Sequence, residues 1–455
     1  MNRVSMTLAC AALVFAVQPA LASEDVSSEL AEMRDMMQGL KQQVEAQEEQ
    51  LEHQGQLLEQ AQDAVKTQAS DGSESGLSPF LDMINVGGHI AASYNYNFNT
   101  PKSGEGGENF NSGDQGGFLP FHRDADQFSL GQAWFSLGKD GNEESPAFFG
   151  FDIVYGQTAA FFGQGISDED SRREDNDDGT SDYYVHQAYV GYFCDCFGPD
   201  TTLKFGKWST LVGAEVAQAP ANFNITRGTV YSFLQPVDHM GVLGTINLGM
   251  VELSSAIMNS GTSLVSAPDN NKELAYLGSA KIGDDKMNVR GSFIYGNESL
   301  LEDNLSRATG LVDVTAWFNP TDNLSTWVNY NYLYQEDSGL YVHGVATAAR
   351  VGITEKLGAA IRGEYIREHA SDSEGVFIGA GNDGPFDPSG GFVNTELYSL
   401  TGTVDYSLTD HLIARAEARF DWISDPGNVG DGFFENHDGT ADNQTVGLIE
   451  VIYTY

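Results

Sequence analysis

Three kinds of residue are scarce in this 455-residue chain, and each scarcity excludes something. Cysteine occurs three times, and Cys10 lies in an apolar leader, so Cys194 and Cys196 alone remain. Two cysteines exclude a disulfide framework and a zinc site built from cysteine alone. They leave open a local Cys-Asp-Cys disulfide or a reduced pair. Proline is also scarce, at 13 residues against 51 glycines and 11% aromatics, which is not a disordered composition and suits many twisted strands. Bases are few: 23 Lys and Arg face 65 Asp and Glu, a net charge of −42. Repulsion of that size argues against nucleic acid or another polyanion as partner. It points to cations over anions at any entrance, although loop charge need not set preference at a narrow point. Finally, no internal apolar run reaches the roughly 18 residues of a membrane helix.

What is present divides the chain. Residues 1–22 read as a secretory signal, with Arg3, an apolar stretch from Leu8 to Val17 and the small-residue end Ala20-Leu21-Ala22. Residues 24–69 carry apolar side chains every seventh position, at Leu30, Met37, Val44, Leu51, Leu58 and Val65. That period predicts an α-helical coiled coil. Its layout beside the following domain favours a homotrimer, and its position allows contact with peptidoglycan. Residues 70–79 read as a linker.

From residue 80 to 455 the period is two. Ile84, Val86, Ile90, Tyr94, Tyr96 and Phe98 share one face, opposite Asn85, His89, Ser93, Asn95 and Asn97. Near the end, Ala414, Ala416, Ala418, Phe420 and Trp422 oppose Arg415, Glu417, Arg419 and Asp421. Strands of about ten residues with one apolar face and one polar face are those of a transmembrane β-barrel. Aromatics near the strand ends, including Tyr453 and Tyr455, fit interfacial girdles. A soluble antiparallel sandwich is the alternative, but its strands are typically about 5–6 residues long. Long acidic connections at 101–117, 167–179, 371–391 and 425–443 alternate with short turns, as extracellular loops alternate with periplasmic turns. The fold class is therefore all-β, an antiparallel transmembrane barrel of about 16 strands behind the coiled coil, in the outer membrane of a Gram-negative bacterium. Its surroundings are outer-membrane lipid and lipopolysaccharide.

No catalytic motif is found, and an enzyme is not expected. The acidic stretch 167–179 lacks EF-hand spacing, so it reads as a solvated loop or a cation bridge to lipopolysaccharide, and no resident metal or cofactor is expected.

One stretch departs from the barrel pattern. Between Trp208 and Met240 the alternation stops, broken by Gly213, Pro220, Gly228 and Pro236. The segment is too long and too polar for a simple turn. It holds Glu215, Asn222, Asn224, Arg227, Asp238 and His239 among aromatics. The motifs Phe205-Gly206-Lys207, Gly213-x-Glu215, Ala219-Pro220-x-Asn222-x-Asn224-x-x-Arg227 and Pro236-x-x-His239-x-Gly241 resemble the signature of the OmpL-like β-barrel porin family. Thr226 stands where that family commonly has Ser, and His186-Gln187-Ala188-Tyr189 resembles the strand preceding the signature. The resemblance implies an outer-membrane channel without naming a solute. The expected function is thus a porin, a passive aqueous channel for small hydrophilic solutes. Residues 208–240 are expected to fold inward as a constriction that presents those six residues to solute, with Arg415, Glu417, Arg419 and Asp421 lining the channel. The alternative for the six is a packed loop whose polar groups satisfy backbone. The alternative for the whole chain is an envelope-linking or surface-binding protein that uses the coiled coil and acidic loops.

Overall fold

The computed structural model describes residues 83–100, 119–122, 126–164, 183–259, 274–298, 307–337, 339–369, 396–424, 434–436 and 439–455. The expected signal, coiled coil and linker lie outside these residues, as do the acidic stretches 101–117, 167–179 and 371–391 and part of 425–443.

The described strands are β1 (Asn85–Asn97), β2 (Phe128–Lys139), β3 (Ala147–Tyr155), β4 (Tyr183–Cys194), β5 (Thr201–Ser209), β6 (Asp238–Asn247), β7 (Val251–Met258), β8 (Ala275–Gly283) and β9 (Met287–Glu298). They continue with β10 (Arg307–Thr321), β11 (Leu324–Gln335), β12 (Tyr341–Gly352), β13 (Leu357–His369), β14 (Glu396–Ser407), β15 (Leu412–Ser424), β16 (Phe434–Asn436), β17 (Gly439–Ala441) and β18 (Asn443–Thr454). Among the described residues, sixteen of them close into one barrel in which each strand pairs with its neighbour in sequence; the exceptions, β16 and β17, form a separate hairpin. β1 pairs antiparallel with β18, with Ser93 opposite Glu450, which removes both sheet edges.

The barrel's burial pattern is inverted relative to a soluble fold. Phe128 is 81% exposed and Phe205 67%, whereas Arg362 and Asp421 are fully buried. On β15, Arg415, Glu417, Arg419 and Asp421 face inward and are buried, and the intervening Ala and Phe side chains face out. Burying charge while exposing large apolar groups is unfavourable in water. It is the favourable arrangement when the exterior is hydrocarbon. Exposed aromatics mark both ends of the wall, with Tyr96, Phe98, Tyr155 and Tyr183 toward the long connections and Tyr192, Tyr406 and Tyr453 toward the short turns.

At one barrel end the connections are short, as between β8 and β9 or β10 and β11. The opposite end carries the long ones. Helix α1 (Gln157–Gln164) follows β3 on that side, and residues 119–122 from the β1–β2 connection are buried there as well. At the short-turn end Cys194 and Cys196 are joined in a disulfide.

Candidate functional site: the segment folded into the barrel

β5 continues through Ser209 and β6 begins at Asp238. The irregular segment is therefore 210–237, shorter than the expected 208–240, and Asp238 and His239 belong to a wall strand. The backbone breakers delimit its pieces. Pro220 starts a single 3-10 turn (Ala219–Ala221), and helix α2 (Thr229–Leu234) fits between Gly228 and Pro236.

The segment leaves the long-loop end and turns into the lumen. Its neck is closed by Thr210 N–H donating to the Val237 carbonyl at 3.0 Å. Asp238 and His239 reinforce the neck: Tyr184 OH donates to Asp238 at 2.6 Å, Lys207 Nζ donates to Tyr184 OH at 2.6 Å, and His239 lies 3.0 Å from the Thr210 hydroxyl.

An irregular backbone inside a barrel carries N–H and C=O groups with no ladder to join, and leaving them unpaired is costly. The inward charges meet that need. Glu417 accepts from Ile225 N–H at 2.5 Å, Thr226 N–H at 3.0 Å, the Thr226 hydroxyl at 2.6 Å and the Thr403 hydroxyl at 2.7 Å. Arg419 donates to the Arg227 carbonyl at 2.9 Å and to Asp421 at 2.8 Å, and Gln444 holds Asp421 from β18. Arg415 reaches the carbonyls of Ala219, Pro220 and Asn224 at 3.3–3.4 Å. Carboxylates thus take the segment's N–H groups and guanidiniums its carbonyls. On β15 that division accounts for Arg415, Glu417 and Arg419, while Asp421 accepts from Arg419 and Gln444 and so orients Arg419.

On β13, Arg362 uses all five of its N–H donors. Nε bonds Glu364 at 3.0 Å, Nη1 bonds Glu215 at 2.7 Å and the Thr226 carbonyl at 2.6 Å, and Nη2 bonds the hydroxyls of Thr226 and Thr401 at 3.2 Å each. Glu215 also takes Gly228 N–H at 2.7 Å, and Glu364 takes Val230 N–H at 3.1 Å. Gly228 passes between these carboxylates, where a Cβ would collide with both. Burial pushes the Glu215 carboxyl above its usual range, with the Arg362 guanidinium pulling the other way.

The segment's remaining polar groups serve its own shape. Arg227 donates to the carbonyls of Val216, Ala217 and Ile225 at 2.5–3.0 Å. Asn222 bonds Val216 at both its N–H and its carbonyl, and Asn224 donates to Thr403 at 2.7 Å. Farther along, Gln235 donates to Asn329 and Asn331 of β11. Gln132 of β2 holds Ala217 and Ala219 from the other side. Phe121, from the β1–β2 connection, packs against Phe161, Phe162 and Tyr231, filling that flank.

All ten residues singled out from the sequence, Glu215, Asn222, Asn224, Arg227, Asp238, His239, Arg415, Glu417, Arg419 and Asp421, are buried, none more than 7% exposed. The segment and the wall strands bring them together as partners of backbone and of one another. Backbone satisfaction of this kind is the packing weighed above as the alternative for the six, and Glu215 in addition lines a cavity with Arg290. Open space lies beside the segment and along the facing wall. The first of three cavities, about 210 Å³, is lined mainly by the segment itself, Glu215 included, with His186, Ser209 and Arg290; the second and third, about 300 and 230 Å³, lie against β7, β8, β9 and β10. The first shares Gly213 and Arg290 with the second, and the second shares Lys281 and Asp285 with the third. Lys281 and Arg290 sit on β8 and β9 in unremarkable alternating strands, so no local signal marks them in the sequence.

The family profile described as putative beta-barrel porin-2, OmpL-like, matches residues 83–455, the whole barrel. The chain belongs to this porin family. The porin is accordingly an outer-membrane β-barrel channel protein of a Gram-negative bacterium. No curated protein matches it. Among solved structures, the trimer form of OmpT from Vibrio cholerae is 11% identical with a TM-score of 0.50, covering 82% of the porin and 99% of OmpT. OmpF of Salmonella typhi, in complex with daunomycin, is 9% identical with a TM-score of 0.50, covering 82% and 97%. The outer membrane channel DcaP of Acinetobacter baumannii is 11% identical, with a TM-score of 0.49 over 82% and 97%. At these identities the first two share the barrel fold.

Proposed function

We propose that this porin is a passive aqueous channel for small hydrophilic solutes, in which segment 210–237 is the constriction and solute passes between the segment and the β6–β10 wall. The observation that carries this reading is where the charged anchors stand. Buried charges on β13 and β15 hold the segment, with neutral partners on β2 and β11, while two cavities lie against β7, β8, β9 and β10. In this reading the ten residues act as anchors that set the width of the passage. Contact with solute falls to the cavity wall.

The homotrimer, joined through heptads in residues 24–69, belongs to the same proposal. It is supported by the heptad period and by the existence of OmpT in a trimer form. Lipopolysaccharide outside and peptidoglycan beneath are the proposed neighbours. Planar-bilayer recording on the full chain and on a chain lacking residues 24–69 tests the set. The expected result is stepwise conductance from both, with fewer trimers from the truncated chain. Absence of conductance from the full chain refutes the channel; trimers unchanged by the deletion refute the role given to the heptads.

A further inference from the structure

The wall of the passage carries charge in a specific pattern. Glu252, Lys281 and Arg290 stand side by side on β7, β8 and β9, with Glu252 opposite Lys281 and Lys281 opposite Arg290. Arg290 donates to Glu252 at 2.7 Å and to Ser279 at 3.2 Å, so those two charges are spent on each other. Lys281 and Asp285 are different. Both line the second and the third cavity. Neither has an ion pair or a side-chain hydrogen bond among the described residues. Asp285 sits in the short turn after β8, at the rim, and Lys281 lies deeper on the same strand. Of the turn's other charges, Asp284 is engaged by the N–H groups of Lys286 and Met287 at 2.9 Å each, and Lys286 lines neither cavity. Apart from the paired Arg290 and Glu252 and the backbone-engaged Asp284, the lining around the two is uncharged, with Thr315 and Asn319 as hydrogen-bonding groups and Trp317 as an apolar surface.

We propose that Lys281 and Asp285 form a subsite for small zwitterions, compounds of the α-amino acid type, with the carboxylate on Lys281 and the ammonium on Asp285. The inference rests on the channel reading above and adds a solute class to it. One free cation and one free anion at successive depths match a dipolar solute at both ends. A simple anion meets Asp285 at the rim, and a simple cation meets Lys281 inside. The overall charge of −42 would favour cations, but the acids that produce it are mostly elsewhere, and a screened field from loops acts over only about 8–10 Å at physiological salt. At the passage wall the free charges balance.

Liposome swelling with the full-length porin tests this with two near-isosteric solutes, alanine (zwitterionic) and lactamide (uncharged). Alanine is expected to enter about two- to fivefold faster than lactamide, the size of effect a solvent-screened ion contact provides. Lys281→Gln and Asp285→Asn are each expected to bring alanine down to the lactamide rate while leaving lactamide unchanged. Equal rates for the two solutes in the unaltered porin overturn the proposal. So does an alanine advantage that survives either substitution. If lactamide itself does not enter, the channel reading fails rather than the subsite.

Discussion

Replacing Arg362 with Met tests whether buried charge holds the constriction in place. Met keeps most of the side-chain volume and removes five donors. Glu215 and Glu364 lose their shared cation, and the Thr226 carbonyl loses its donor at 2.6 Å. Breaking a buried pair by deleting one partner costs about 3–5 kcal/mol, because the remaining charge is left uncompensated. Here two carboxylates are left, so that range is a minimum. The barrel ladder does not depend on Arg362, whereas the docking of 210–237 does, so the cost falls on docking. At about 1.4 kcal/mol per decade, the equilibrium constant for docking falls by roughly two to four decades. Single-channel recordings should then show larger and noisier steps. Arg227, 4% exposed in the docked segment, should become cleavable by trypsin in intact barrels. Arg362→Lys should fail in the same direction, since an ammonium offers three donors and no planar fork. Neutralising all three, as Arg362→Met with Glu215→Gln and Glu364→Gln, should recover part of the docking, because removing both partners is far milder than removing one. Arg362→Met with unchanged conductance and an uncut Arg227 would refute the mechanism.

Two further outcomes follow from the same packing. His122, buried beside Arg227, is pushed down from 6.5 to about 3, chiefly by burial and then by the Arg227 charge. It is neutral when packed and takes a proton near 6.5 once released, so docking of residues 119–122 is strongest above that pH and weakens as pH falls toward 3, by up to about 5 kcal/mol. Channel noise should therefore rise between pH 6 and pH 4, and His122→Gln should lose that acid response; equal responses from both proteins count against it. Gly344 of β12 lies under α2, where a Cβ would collide with Leu234. Gly344→Val should lift α2 at a cost of about 1–3 kcal/mol and raise conductance, and adding Leu234→Ala should reverse both changes.

Much of the architecture was legible from local pattern. A strand's faces alternate with period two, so a barrel wall prints its inside and outside directly into the sequence around Ser399, Thr401 and Thr403 or Arg415, Glu417 and Arg419. The interruption after Trp208 was legible for the complementary reason, since Gly and Pro stop alternation wherever they fall. Its ends were misplaced by two or three residues because Trp208, Ser209, Asp238, His239 and Met240 pair in the ladder despite their irregular appearance.

The sequence by itself determined a closed, outward-apolar barrel of about sixteen strands and one long polar segment between β5 and β6. These are properties of residues near one another in the chain. The tertiary structure alone decided what the polar residues do. Glu215 meets Arg362 across 147 positions, and Ile225 meets Glu417 across 192, so no local period connects them. Charges that looked poised for solute are used on the backbone of an irregular segment, because a buried N–H or C=O without a partner costs more than an exposed one. Lys281 and Asp285, the free charges of the proposed passage, lie four positions apart on a strand and turn that resemble every other, and closure of the barrel decides that this stretch borders a cavity.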